Sequence, residues 1–272
     1  MSTTRVRVLQ VNLHYAKAAS AVVCRRFDKD GLDVALLQEP WIHGGRVSGL
    51  KTNYNKMLYK EGAKEPRTCI VYSNRVNCTL IPVLCTADIV TAILTTPIEE
   101  GTRSWFVSSA YLPGEEICPP PQLGEVIAYV ARENLQLIIG CDANAHHILW
   151  GRTDINTKGF ILTNSLLIAN VGNKPTFVTA AWKEVLDITL SSEKACDNIE
   201  NWHVSEEPSC SDHRQIRFDL VTPPRTSITY RNPRETNWRG YSLSLNEALE
   251  EEVIEIENNK FFERQWRKLA RQ

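Results

Sequence analysis

Residues 135–147 read LQLIIGCDANAHH: a short apolar run that stops at Asp142, with Asn144 two positions further on. A run of four to eight apolar residues with polar residues at its end reads as a strand packed inside a sheet layer. In an extended segment Asp142 and Asn144 project to the same side. The arrangement recurs along the chain. Asn12 closes VRVLQVN (6–12), Glu39 closes DVALLQE (33–39), and Tyr111 closes WFVSSAY (105–111). Asp187 sits inside EVLDITL (184–190), and Asp212 and His213 stand just before QIRFDL (215–220).

Polar groups at the strand ends of packed sheets converge on one rim, where rigid elements can hold a cation and a reacting phosphate. Phosphodiester hydrolysis needs a hard cation, a water in line with the leaving oxygen and donors for charge on the phosphoryl oxygens. Magnesium keeps several waters, so one or two carboxylates suffice to bind it. Glu39, carried out of a buried strand that stops at Pro40, is the first metal candidate. Asp212 is the second, directly or through water. Asn12 is placed with them as an amide that orients Glu39 or a metal-bound water. Asp142 is expected to orient or deprotonate the attacking water, and Asn144 to donate to a non-bridging oxygen. His213 can hold or protonate a phosphoryl oxygen, provided a carboxylate fixes its tautomer, and Asp187 is the partner expected for it. Either Asp142 or His213 could serve as the base. The phenol of Tyr111 can reach a phosphate from the same rim. His146 and His147 lack the HExxH spacing of a zinc site and are read as loop residues.

The β-like runs dominate residues 5–220, interrupted by helical spacings over 16–29, 121–133 and 159–169. TCIVYS, CTLIPVL and IVTAILTT in succession suggest an antiparallel meander. The expected architecture is α/β: two packed mixed sheets with helices on their outer faces. Residues 1–221 are read as the catalytic domain. The segment 222–243 is rich in Pro, Arg, Thr and Asn and reads as a linker or docking arm. An amphipathic helix is expected over 244–272, acidic in its first half and basic at its end.

The formal net charge of −1 removes any argument from bulk charge for nucleic-acid binding, and leaves only local basic faces. No stretch reaches the apolar length of a membrane span, so no membrane partner is expected. The N-terminus passes directly into a strand pattern without the features of a secretory signal. Eight scattered cysteines without a CxxC pair read as reduced thiols, which fits a nuclear or cytosolic compartment.

The ordered set Asn12, Glu39, Tyr111, Asp142, Asn144, Asp187, Asp212 and His213 resembles the endonuclease/exonuclease/phosphatase superfamily, which includes exonuclease III, apurinic endonucleases, deoxyribonuclease I and phosphoinositide phosphatases. The resemblance implies a four-layer αββα sandwich and Mg²⁺-dependent phosphodiester hydrolysis, with Mn²⁺ as a substitute. More narrowly, LQVNLHYAKAA, LLQEPWIHGGRVSGL, SSAYLPG, GCDANAHHILWG, FILTNSLLIANVGNKPTF and VLDITLSS look like the endonuclease domain of non-LTR retrotransposons, above all the insect elements that enter ribosomal DNA or telomeric repeats, and the tail YRNPRETNW looks like the segment that follows this domain in their polyproteins, ahead of the reverse transcriptase. That likeness implies nicking of double-stranded DNA in the nucleus, a 3′-hydroxyl that primes reverse transcription, and a reverse transcriptase domain in the parent polypeptide. Arg46, Lys51, Lys174 and Lys183, with Phe177 and Trp182, are then the loop residues expected to meet DNA. The rival readings are an abasic-site repair endonuclease or other phosphoesterase of the same superfamily, and a DNA-binding domain without catalysis. Two departures stand out: the family's Asn-x-Asp is Asn12-Leu13-His14, and the Asn that follows its Tyr is missing from Tyr111-Leu112-Pro113-Gly114.

Overall fold

In the computed structural model the described residues are 4–98, 101–113, 121–143, 166–222, 237, 239–240 and 242–243. The chain divides into two compact units, Met1–Pro224 and Arg225–Gln272. In the second unit the N–H of Gly240 donates to Asn237 Oδ1 at 2.9 Å, as at a capped helix start. The helix expected over 244–272 lies outside the described residues.

The first unit runs β1 (Thr4–Asn12), α1 (Lys17–Lys29), β2 (Val34–Gln38), a small hairpin of β3 (Ile42–His43) and β4 (Arg46–Val47), β5 (Asn55–Leu58), β6 (Thr68–Ser73), β7 (Asn77–Leu80), β8 (Ile89–Ile98) and β9 (Gly101–Tyr111). It continues with α2 (Pro121–Arg132), β10 (Leu137–Asp142), β11 (Leu166–Ile168), a second hairpin of β12 (Phe177–Val178) and β13 (Lys183–Glu184), β14 (Asp187–Ser192), the single turn α3 (Glu193–Cys196), β15 (Ile199–Val204) and β16 (Ile216–Thr222). Among the described residues two six-stranded sheets form, in the orders β15-β16-β1-β2-β6-β5 and β11-β14-β10-β9-β8-β7. Each has one parallel pair near its centre, β1 with β2 and β9 with β10, and antiparallel neighbours around it.

Strand alternation builds four layers from this. Val6 and Val8 of β1, Val34 and Leu36 of β2, Trp105 and Val107 of β9, and Ile138 of β10 form the core between the sheets. The intervening residues Leu9, Val11, Ala35 and Leu37 turn outward onto α1, which buries Ala19, Val23 and Phe27 at helical spacing. On the other side Phe106, Leu137, Ile139 and Cys141 meet Leu123, Val126, Ile127 and Val130 of α2. The result is the expected αββα sandwich. No helix among the described residues is long and apolar enough to cross a membrane.

The inner rows turn from apolar to polar toward one end. Val6 and Val8 give way to Gln10 and Asn12, Leu36 to Gln38, Val107 to Ser109, and Ile138 to Gly140 and Asp142. Gln10 Nε2 donates to the carbonyls of Cys141 (3.2 Å) and Ile188 (3.0 Å), and its Oε1 accepts from Thr189 Oγ1 (2.8 Å). Gln38 Nε2 donates to Ser109 Oγ and to the Gly140 carbonyl, both at 3.0 Å. These buried amides cross from one sheet to the other.

Three sequence expectations change. Residues 166–168 are a strand rather than the end of a helix over 159–169, because pairing with β14 overrides the helical spacing of FILTNSLLIA; residues 159–165 lie outside the described set. β6 and β7 are consecutive but belong to different sheets, so the meander is β7-β8-β9. Strands β5 and β15, on sheet edges, carry too little apolar patterning to be read from sequence.

Gly140 lies where the sheets come closest: a Cβ there would sit 3.0 Å from Leu36 and 3.1 Å from Gln10, whereas one on Gly124 in α2 would meet nothing within 4 Å. In urea unfolding, Gly140→Ala should therefore lower stability by about 1–3 kcal/mol. Gly124→Ala should raise it by about 0.5–1 kcal/mol.

Candidate active site

Strand register brings the polar ends together. Asn12 lies opposite Gln38 across β1 and β2, while Asp142 lies opposite both Tyr111 on β9 and Asp187 on β14. Asn12, Asp142 and Asp187 are at most 1% exposed and His213 is 5% exposed, so their partners decide their state.

Asn12 Nδ2 donates to Asp142 Oδ2 at 2.6 Å, joining the two sheets at the rim, and Asn12 Oδ1 accepts the backbone N–H of His14 at 2.7 Å. Asn12, which the sequence reading placed with the metal ligands, thus has its side chain committed to Asp142 and to the following loop. His213 Nδ1 and Asp187 Oδ2 are 2.8 Å apart, the pairing expected from sequence. The imidazole is also packed edge-on by Phe177, centroids 5.0 Å apart. Thr176 Oγ1 accepts the N–H groups of Leu186 and Asp187, and its carbonyl accepts the N–H of Arg214. Ser211 Oγ donates to the Asn12 carbonyl at 2.8 Å. Thr176 and Ser211 thereby lock Asp187 and His213 against the end of β1. Neither residue carried a signal in the sequence, because a hydroxyl in a loop is ordinary until its partner is known.

Burial pulls the His213 pKa down, but the charge and hydrogen bond of Asp187, with the charges of Asp142 and Glu39, outweigh it and push the group up to about 9. The imidazole is a cation at neutral pH. Donor atoms of Asp142, Asp187 and His213 lie within 4.8 Å of one another, which resembles a metal cage by geometry alone. Two carboxylates and an imidazole at this spacing suit a metal ion or a proton, and the Asp187–His213 hydrogen bond suits the second. Hard oxygen donors with solvent access are found in Glu39, half-buried, and Asp212, whose side chain is 47% exposed. These two fit an ion that retains its waters. His14, in the place of the missing carboxylate, sets its Nδ1 3.2 Å from Asp212 Oδ2.

Backbone conformation is unusual here. His14, Tyr15 and Glu39 all have positive φ, at 47°, 53° and 43°. Such residues are uncommon and cost on the order of 1–3 kcal/mol each. The Tyr15 N–H donates to the Glu39 carbonyl at 2.8 Å, so the two strained turns support each other. Burial and the nearby Glu39 and Tyr111 push the Tyr15 phenol up to about 12. Tyr111, half-buried, carries the Arg67 guanidinium 4.9 Å above its ring. Tyr15 was not among the residues read from the sequence.

Asn144, His146 and His147 lie outside the described residues. Arg46, Lys51 and Lys183 are exposed, the first and last on the β3–β4 and β12–β13 hairpins. Lys174 differs: its ammonium donates to the Val204 carbonyl at 2.8 Å and pairs with Glu206, so it is already engaged. Trp182, at the β12–β13 turn, is 64% exposed, while Phe177 packs on His213.

Residues 105–217 match the protein family described as endonuclease-reverse transcriptase. Among solved structures, the endonuclease domain of TRAS1, a telomere-specific non-LTR retrotransposon, is 26% identical, with a TM-score of 0.64 over 79% of this chain and 98% of that one. An AP endonuclease, LMAP from Leishmania major, is 11% identical with a TM-score of 0.62, over 80% of this chain and 88% of that one. A truncated TDP2 from Caenorhabditis elegans is 16% identical with a TM-score of 0.53, over 80% and 98%. The last two share the fold. No curated protein matches the sequence.

The His213–Asp187 pair has a measurable signature. With a folded-state pKa raised from 6.5 to about 9, its contribution to stability is complete below pH 6.5 and is lost as pH rises through about 9. In NMR titration of the EDTA-treated protein the His213 ring should titrate near 9. Asp187→Asn should move that midpoint down and shrink this pH dependence in the unfolding curve.

Proposed function

We propose that the chain is a member of the endonuclease/exonuclease/phosphatase superfamily and a Mg²⁺-dependent endonuclease that nicks duplex DNA and leaves a 3′-hydroxyl to prime reverse transcription of a non-LTR retrotransposon. The observation that carries the proposal is the juxtaposition, on one rim, of Asp142 fixed by Asn12 and His213 fixed by Asp187. The likeness to the TRAS1 endonuclease domain, which this chain matches over 98% of that domain, supports the retrotransposon reading over others of the superfamily. On this reading the chain works in the nucleus, is joined to a reverse transcriptase domain in its parent polypeptide, and meets DNA through Arg46, Lys51 and Lys183.

The chemistry follows from the two fixed pairs. Asp142, a buried carboxylate held in place by the Asn12 amide, orients a water in line with the scissile P–O3′ bond and accepts its proton. The water oxygen bonds to phosphorus as the P–O3′ bond breaks, and the departing 3′-oxygen takes a proton from solvent, giving a 5′-phosphate and a 3′-hydroxyl. His213, charged and locked by Asp187, stabilises the negative charge that gathers on the phosphoryl oxygens, with the Tyr111 phenol as a further donor. Asn144 is given the same role from its place in the sequence. Glu39 and Asp212 would hold Mg²⁺, or Mn²⁺ in its place, which when bound supplies Lewis-acid stabilisation of the phosphoryl group and its leaving oxygen.

The test is conversion of supercoiled plasmid to open circles. Nicking should require Mg²⁺, stop with EDTA, and fall by about a hundredfold or more in His213→Ala and in Asp142→Asn. Nicking by His213→Ala at the wild-type rate would remove His213 from the mechanism. Turnover confined to abasic DNA or to a phosphoinositide would replace the retrotransposon reading with the repair or phosphatase one.

A further inference from the structure

Glu39 and Tyr111 sit on different sheets. Glu39 follows β2 of the first, and Tyr111 ends β9 of the second. The Glu39 N–H donates to the Arg67 carbonyl at 2.7 Å, and the Tyr111 N–H donates to the Asp88 carbonyl at 2.8 Å. Arg67 stands immediately before β6 and Asp88 immediately before β8, again one on each sheet. Their side chains join in a two-pronged ion pair: Arg67 Nε donates to Asp88 Oδ1, and Nη2 donates to Oδ2 at 2.7 Å. The backbone repeats the link, since the N–H groups of Arg67 and Thr68 both reach the Ala87 carbonyl, at 2.8 and 3.1 Å. The same guanidinium lies over the Tyr111 ring.

We propose that the Arg67–Asp88 pair is a positioning clamp that sets the distance between Glu39 and Tyr111 across the gap between the sheets. The inference rests on the reading of Glu39 as a cation-facing group and Tyr111 as a phosphate-facing one. The backbone carbonyls of the two clamp residues are the acceptors for those two amides, so fixing one side-chain pair fixes both. The planar fork of Arg67 suits a clamp, because it engages both carboxylate oxygens while presenting a flat face to the ring, which an ammonium cannot do. A salt bridge between exposed groups would add little to stability, but here its value is geometric. A shift of about 1 Å in a reacting group can cost two orders of magnitude in rate.

Two measurements on the full chain decide it. The first is amide hydrogen exchange of the protein in EDTA, followed by NMR, for wild type, Arg67→Gln, Asp88→Asn and Asp88→Glu. The clamp predicts that the Glu39 and Tyr111 amides together lose about tenfold of their protection in the first two variants, that β14 amides keep theirs, and that Asp88→Glu restores much of it. Wild-type exchange at both amides, or an equal loss everywhere, would overturn the proposal. The second is steady-state nicking of plasmid with Mg²⁺, where Arg67→Gln should lower kcat by about tenfold or more with a smaller change in KM. A lower Tm with kcat and KM unaltered would mark an ordinary structural pair. If wild type fails to nick DNA while the amide pattern appears, the functional reading fails and the clamp stands.

Discussion

Two buried amides, Gln10 and Gln38, tie the sheets together at the end where the inner rows stop being apolar, and the site depends on that crossing. Each amide nitrogen reaches backbone carbonyls of the facing sheet, so the buried donors are satisfied and the spacing between the sheets is fixed. Gly140 permits the approach, since any Cβ there would meet Leu36 and Gln10. Two residues further toward the rim, Asn12 and Asp142 make the same kind of crossing, now with a carboxylate as the acceptor. The amides of Gln10 and Gln38 and that of Asn12 therefore continue the same rows of alternate residues.

Electrostatics divide the rim into two regions. In the buried group of Asp142, Asp187 and His213 the neighbouring carboxylates favour the charged imidazole, and the proposed mechanism gives this group the handling of protons and phosphoryl charge. Glu39 and Asp212, with more solvent access, have the donor type a hydrated hard cation requires. The strained turns at His14, Tyr15 and Glu39 fall on this second side, and their mutual hydrogen bond keeps conformations that an isolated loop would leave. Strain concentrated at such a place is what a preorganised site requires.

Much of this was legible in the chain because strand ends are marked twice, by the end of an apolar run and by the polar residue that follows. Asn12, Glu39, Tyr111, Asp142, Asp187 and His213 could be named from that signal, and the helical spacings over 16–29 and 121–133 correspond to α1 at 17–29 and α2 at 121–132. The partners of these residues were harder to read. Asp187 could be matched to His213 because a buried histidine needs a carboxylate. Asn12 was matched to Glu39 or a metal-bound water, and its true partner lies 130 positions away on the other sheet. The pairing of Arg67 with Asp88 gave no signal, since nothing local shows that β6 and β8 begin side by side on different sheets. Similarly, FILTNSLLIA carries helical spacing, and only the edge of a neighbouring sheet makes its end a strand.

The most direct test of the central claim is the chemistry of the cut end. Plasmid nicked by the purified chain with Mg²⁺ would be offered to a DNA polymerase and a labelled nucleotide, with and without prior removal of terminal phosphate. Hydrolysis by a water in line with O3′ predicts extension at every nick without pretreatment, because each carries a 3′-hydroxyl. Extension only after phosphatase treatment would show cleavage on the other side of the phosphorus and contradict the mechanism built on Asp142 and His213.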